Sequence, residues 1–357
     1  MLKHIPRMIL LFVVAFLLVA CGTNENATNG GVAKPDEQMD ENGGNKEDEY
    51  DDLIAKFVQP GDIPVPEDNP MSEEKVELGK MLFYDPRLSG DNDRSCATCH
   101  APALGWGDGQ SLFQTIDGED GPRHSPTIIN AAYFKSLFWD GRADSLKEQV
   151  LGPISSPIEM NQNLDDLAEE LKAVDGYPEL FEEAFGEDIT IENIAKAIAA
   201  FERTIVMNDT RFNEFLDGDY DAMTEQEIHG MELFAGKARC ISCHNGPAFS
   251  DHLFHNVGIE SDDEGRKEVT GLNADDGAFR TPGLYGIAHH PPYMHDGSLE
   301  TLEEVIDFYD RGGDDHPNKS PIIHELNLSD EEKEALLAFL HVLSGDESPQ
   351  ADVPDIP

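Results

Sequence analysis

Basic residues are few in this chain: 25 Lys and Arg stand against 72 Asp and Glu, a formal net charge of −47 over 357 residues. So large an acidic excess excludes nucleic acid and anionic lipid surfaces as direct ligands. It suits equally a basic partner protein, attracted at long range and weakened by salt, or a solvated surface for a saline habitat. Alternating strands are scarce, Leu253 to Ile259 being the best short candidate, which argues against a sheet-built fold. Tryptophan occurs twice and cysteine five times. The one long apolar run, Met8 to Ala20, is too short to cross a bilayer comfortably.

That run follows Lys3 and Arg7 and ends in Leu18-Val19-Ala20-Cys21-Gly22, which resembles a bacterial lipobox and has a signal peptide's layout. Residues 1–20 are therefore expected to be a lipoprotein signal peptide. Cys21 becomes the lipidated first residue, anchoring an exported protein at the cell envelope, on the periplasmic or the outer face of the membrane. An uncleaved anchor would also leave the rest outside. Residues 21–52 are rich in Asn, Gly, Asp and Glu and read as an acidic flexible tether that buries no core.

The other four cysteines stand in two complete pentapeptides, Cys96-Ala97-Thr98-Cys99-His100 and Cys240-Ile241-Ser242-Cys243-His244. This C-x-x-C-H pattern is the attachment signature of c-type haem. Each cysteine bonds one porphyrin vinyl group, and the adjacent histidine is placed to ligate the iron. A zinc site would use four thiolates and give no reason for a histidine after each pair. A thioredoxin-like site needs one pair within a strand–helix unit, not two far apart. The residues thus point to two covalent haems, and no cysteine is left for a disulfide.

Elsewhere the pattern is helical. Glu73 to Tyr84 places apolar residues near helical spacing and stops at Asp85-Pro86; Leu164 to Phe185, Ile191 to Leu216 and Glu225 to Phe234 also read as helices. Thr224-x-x-Glu227, Thr301-x-x-Glu304 and Ser329-x-x-Glu332 fit capping boxes. The class is mainly α: two cytochrome c-like haem domains with long irregular loops, 53–215 and 216–345, followed by a tail, 346–357. In each half a helix precedes the haem pentapeptide.

Longer stretches carry a family resemblance. Leu78-Gly79-Lys80-Met81-Leu82-Phe83-Tyr84-Asp85-Pro86-Arg87-Leu88-Ser89, Ser125-Pro126-Thr127-Ile128-Ile129-Asn130-Ala131 and Phe138-Trp139-Asp140-Gly141-Arg142-Ala143 resemble segments around the first haem of bacterial di-haem cytochrome c peroxidases. Phe279-Arg280-Thr281-Pro282-Gly283-Leu284 and Pro292-Tyr293-Met294-His295-Asp296-Gly297-Ser298-Leu299 resemble the stretch above the second. The family includes the MauG proteins, which make a tryptophan-derived quinone in methylamine dehydrogenase. The resemblance implies a peroxidatic N-terminal haem and an electron-transfer C-terminal haem, with His100 and His244 as proximal ligands. It implies Glu159 as the catalytic acid–base group, Gln149 and Pro153 in the distal pocket, and Trp139 between the haems. Hydrogen peroxide is then the substrate, and a small cytochrome c or cupredoxin the electron donor. A calcium ion between the halves is also implied, with carbonyls at His290 and Pro292 contributing. His124 stands where an asparagine is usual, so a hard cation loses an oxygen ligand.

Two departures set this chain apart. Ala101 to Arg123 contains no histidine, whereas many such peroxidases block the resting first iron with one there, so the first haem is expected to be open. His124 is the nearest histidine and is not taken as a ligand. The methionine that ligates the second iron falls on Tyr309, as in MauG proteins, with Met294 as its rival. An oxygen ligand favours ferric iron and should lower the potential. Of the other histidines, His255 and His295 are expected to bond haem propionates or backbone. The expected activity is peroxide reduction. The alternatives are a MauG-type oxidase acting on a partner protein and a non-catalytic di-haem electron carrier.

Overall fold

The computed structural model describes residues 46–357, so the expected signal peptide, Cys21 and most of the tether lie outside the described residues. Twelve α-helices and one two-stranded sheet lie among the described residues. The first helix, α1 (Lys46–Ile54), straddles the expected end of the tether at 52. Tyr50 explains the early start, its ring lying 5.3 Å from Phe215 and 5.7 Å from Tyr220.

In the first half, α2 (Glu73–Tyr84) starts at Ser72, whose Oγ accepts from Lys75 N. The haem pentapeptide forms the short α3 (Cys96–Cys99). Then follow α4 (Leu146–Ser155), α5 (Leu164–Lys172), α6 (Tyr177–Phe185), α7 (Ile191–Glu202) and α8 (Arg211–Leu216). Two expected helices are thus each broken in two. Leu164 to Phe185 parts at Gly176, with φ of 105°, and Pro178 opens the next turn. Ile191 to Leu216 parts because Asn130 holds the chain extended after α7. Its Nδ2 donates to Met207 O at 2.9 Å, and its Oδ1 accepts from Met207 N at 3.0 Å.

The second half contains α9 (Glu225–Ala235), α10 (Lys267–Thr270), α11 (Leu302–Asp310) and α12 (Asp330–Val342). All three expected capping boxes are formed. The expected strand shrinks to β1 (Phe254–His255), paired antiparallel with β2 (Phe279–Arg280). The two halves share one packing device. Gly79 of α2 lies so close to α7 that an added Cβ would stand 1.9 Å from Ala197 O, and Gly230 of α9 meets Ala335 O of α12 at the same 1.9 Å.

The halves exchange their ends. Phe212 of α8 packs on Phe249 and Phe339 of the second half, at 5.5 and 5.7 Å, and Phe57 joins the same cluster. Residues 346–357 are no loose tail: Ala351 and Ile356 pack on the core, and Trp106 of the first half donates its indole N–H to Pro349 O at 2.7 Å. Large buried aromatic surface outweighs sequence adjacency here.

Candidate active site: two haem cavities

The first cavity, about 710 Å³, is lined by Cys96, Cys99 and His100. His100 Nδ1 lies 3.1 Å from Trp106 O. A carbonyl only accepts, so Nδ1 carries the proton and the Nε2 lone pair is left for a metal. The second cavity, about 210 Å³, is lined by Cys240, Cys243 and His244, and His244 Nδ1 lies 3.0 Å from Phe249 O. Burial lowers the pKa of both histidines, so each imidazole is neutral as a ligand must be. The four cysteines are free. Burial also pushes the Cys99 and Cys243 thiols up to about 11. The two cysteine pairs line separate cavities and so do not make one four-thiolate zinc site.

A porphyrin also brings carboxylates, and the protein holds an uncompensated cation for them. Arg280 is 6% exposed and lines both cavities. It bonds only backbone, Phe138 O at 3.3 Å and Thr281 O at 3.1 Å, and lies over the Phe134 ring at 4.1 Å. Burial without a carboxylate partner pulls its pKa down to about 10. A buried cation without a counter-charge between two cavities fits the acidic groups of bound haem. The residues present therefore fit two covalent haems.

Glu159, Gln149 and Pro153 line the first cavity with His100. Gln149 and Pro153 come from α4, and Glu159 from the turn beyond it. Burial raises the Glu159 pKa, opposed by a hydrogen bond from Ser156 and by the Arg142 charge. Trp139 lines both cavities and donates its indole N–H to His124 O at 2.8 Å. His124 also lines both; its Nδ1 is tied to Gln110 O at 2.8 Å, and its Nε2 is buried without a partner. Tyr309 and Met294 both line the second cavity, as do His290 and Pro292.

Several placements were not foreseen. The His255 Nε2 lies 2.8 Å from Asp251 Oδ2, and His295 stacks on Phe279 with ring centroids 3.7 Å apart. Cys243, Asp251 and His255 bring ligand atoms within 4.8 Å of one another, but Cys243 stands in the second C-x-x-C-H pentapeptide, where a covalent haem would take its sulfur and leave an ordinary His–Asp pair. The first cavity's mouth is built partly by the second half. Arg123 binds Asp140 at 2.5 Å and Asp263 at 2.6 Å, and reaches Glu268 at 3.1 Å. Nothing in the local sequence pairs Arg123 with residues 140 positions away. The carbonyl partners Trp106 and Phe249 were equally hidden, although each is an aromatic residue shortly after its haem histidine.

The profile of the family described as di-haem cytochrome c peroxidase matches residues 73–221. The methylamine utilization protein MauG of Methylorubrum extorquens is 41% identical over 299 residues, covering 82% of this chain and 85% of that protein. The cytochrome-c peroxidase IdrP1 of a Pseudomonas species is 37% identical over 330 residues, 83% of this chain and 87% of the other. A solved MauG-like protein associated with microbial copper homeostasis superimposes with a TM-score of 0.75 at 34% identity, covering 82% of this chain and 94% of its own. With its two haem sites, its helical halves and relatives of this closeness over most of its length, the chain belongs to the di-haem cytochrome c peroxidase family.

Proposed function

We propose that this protein reduces hydrogen peroxide to water at its first haem site, drawing two electrons from a small external donor, a cytochrome c or cupredoxin, by way of the second. The observation that carries the reading is the convergence of Glu159, Gln149 and His100 on one cavity. Haem held there by Cys96, Cys99 and His100 would supply peroxide binding and the electrons that break the O–O bond. The proton work falls to side chains. Glu159 takes the proton from the near oxygen and returns it to the leaving oxygen, so that water departs. Burial, which favours the protonated carboxyl, suits a group that must both accept and release. The Gln149 amide orients the peroxide, and Trp139, between the cavities, shortens the electron path.

The test is peroxide-driven oxidation of a reduced small cytochrome. Glu159→Gln keeps the size and hydrogen bonding of the side chain but cannot shuttle a proton. Turnover is expected to fall about 10²–10⁴-fold, the usual worth of general acid–base assistance, with both haems retained. Near wild-type turnover contradicts the role.

A second reading has support of its own. Tyr309 on the second cavity, no histidine between Ala101 and Arg123, and the MauG relative favour long-range oxidation of residues in a partner protein. Under that reading the wild-type protein reacts with peroxide but oxidises reduced cytochrome slowly.

A further inference from the structure

The two haem histidines are held alike, each donating its Nδ1–H to the backbone carbonyl of an aromatic residue. Both aromatic residues have positive φ, 62° at Trp106 and 50° at Phe249. A bulky residue keeps that conformation only where its surroundings enforce it. Each carbonyl therefore aims at its histidine only while the aromatic side chain is pinned. Phe249 is held among rings: Phe57, Phe212, Phe234 and Tyr285 lie 5.3 to 6.1 Å away.

Trp106 is pinned differently. Phe83 and Phe201 flank it at 5.9 and 6.1 Å, but its indole N–H also donates to Pro349 O at 2.7 Å. Pro349 lies in the segment that has crossed from the second half. Ser348 Oγ donates to Pro102 O at 3.1 Å, gripping the same loop a second time. Farther along, Tyr84 OH donates to Ala351 O at 3.3 Å and Arg87 Nη2 to Pro357 O at 2.8 Å.

We propose that residues 346–357 are a strap that sets the His100–Trp106 hydrogen bond and, through it, electron donation by His100 to the first iron. Trp106 is the positioning residue. A histidine whose second nitrogen donates a firm hydrogen bond is a more basic ligand and holds ferric iron more strongly. A slack strap frees the Trp106 carbonyl to turn away, which raises the first haem's potential. The strap leaves α12, which packs on α9 beside the second haem site, so the second half's packing reaches the first iron's ligand. The inference rests on His100 ligating iron and not on what the site oxidises.

Spectroelectrochemical titration of the haem-loaded protein tests it, comparing wild type, Trp106→Phe, and a chain ended after Gly345. In each variant the first haem's potential should rise by about tenfold in the ferrous-to-ferric ratio at fixed poise, the lower end of what outer-shell partners contribute at metal sites. The second haem should not move. The double variant should shift no further than either single one, because both remove the same bond. Ser348→Ala, which releases the Pro102 grip and one hydrogen bond from Gln350 within the strap, is the mild variant should the others not fold, and is expected to shift the same haem in the same direction. An unchanged first haem, equal shifts in both haems, or additive shifts in the double variant would overturn the strap.

Discussion

Tyr309 and Met294 line one cavity with His244, and the proposed second haem would take its further protein ligand from one of them. Tyr309 is enclosed by protein, and burial raises its pKa. Tyr309→Phe keeps the ring and removes the oxygen, so the second haem's absorption spectrum should change while Met294→Leu leaves it as it was. The reverse pattern assigns the ligand to Met294. Glu202 is a residue the sequence did not single out. It is 4% exposed, lines the first cavity, and carries one oxygen without a partner. Burial pushes its pKa up to about 8, with Arg203 only partly opposing. The folded protein thus keeps a proton that the unfolded chain, with an ordinary carboxyl, has released. Stability then falls as pH rises from about 5 to 8. Glu202→Gln should flatten that fall in Tm, measured on the haem-loaded protein; an unaltered slope contradicts the buried-acid account. At this scale the two Cys–His pentapeptides were legible because covalent haem attachment requires a fixed local spacing, and each of them lines a cavity of its own. Arg280 and Trp106 acquire their roles from residues far off in sequence, and no local pattern announces such partners.

Among the helices, α2 was legible through its apolar spacing and its stop at Asp85-Pro86, and α9 through its capping box and apolar spacing, and the Gly79 and Gly230 crossings show why the two halves look alike without similar sequences. Close approach at one glycine is the shared requirement. Gly79→Ala and Gly230→Ala should each force the helices apart and cost about 1–3 kcal/mol, as overpacking does. Denaturant unfolding of the haem-loaded protein checks this; an unchanged midpoint for either would show that the backbones part freely. The helices misread as continuous, 164–185 and 191–216, failed for stated reasons. Gly176 breaks one locally, whereas Asn130, more than seventy residues upstream, pulls the other apart. The first cause lies in the sequence itself, the second only in the fold.

At the scale of the molecule, the two haem halves do not stand as separate units. The described residues fall within one compact body. Arg123 ties the loops together, Arg280 and Trp139 line both cavities, and the strap carries the chain back to the first half. A boundary drawn by motif repetition could not foresee this exchange of ends, because the rings that drive it lie at distant positions such as Phe57, Phe212 and Phe339. The proposed peroxidase needs a first haem left open on the Glu159 side and a second haem that would take protein ligands on both faces. Electron paramagnetic resonance of the fully oxidised protein reads both ligations at once. The account predicts one high-spin ferric signal from the first haem and one low-spin signal from the second, in equal amounts. Two low-spin signals would mean that a protein ligand closes the first iron, contradicting peroxide binding to the resting enzyme.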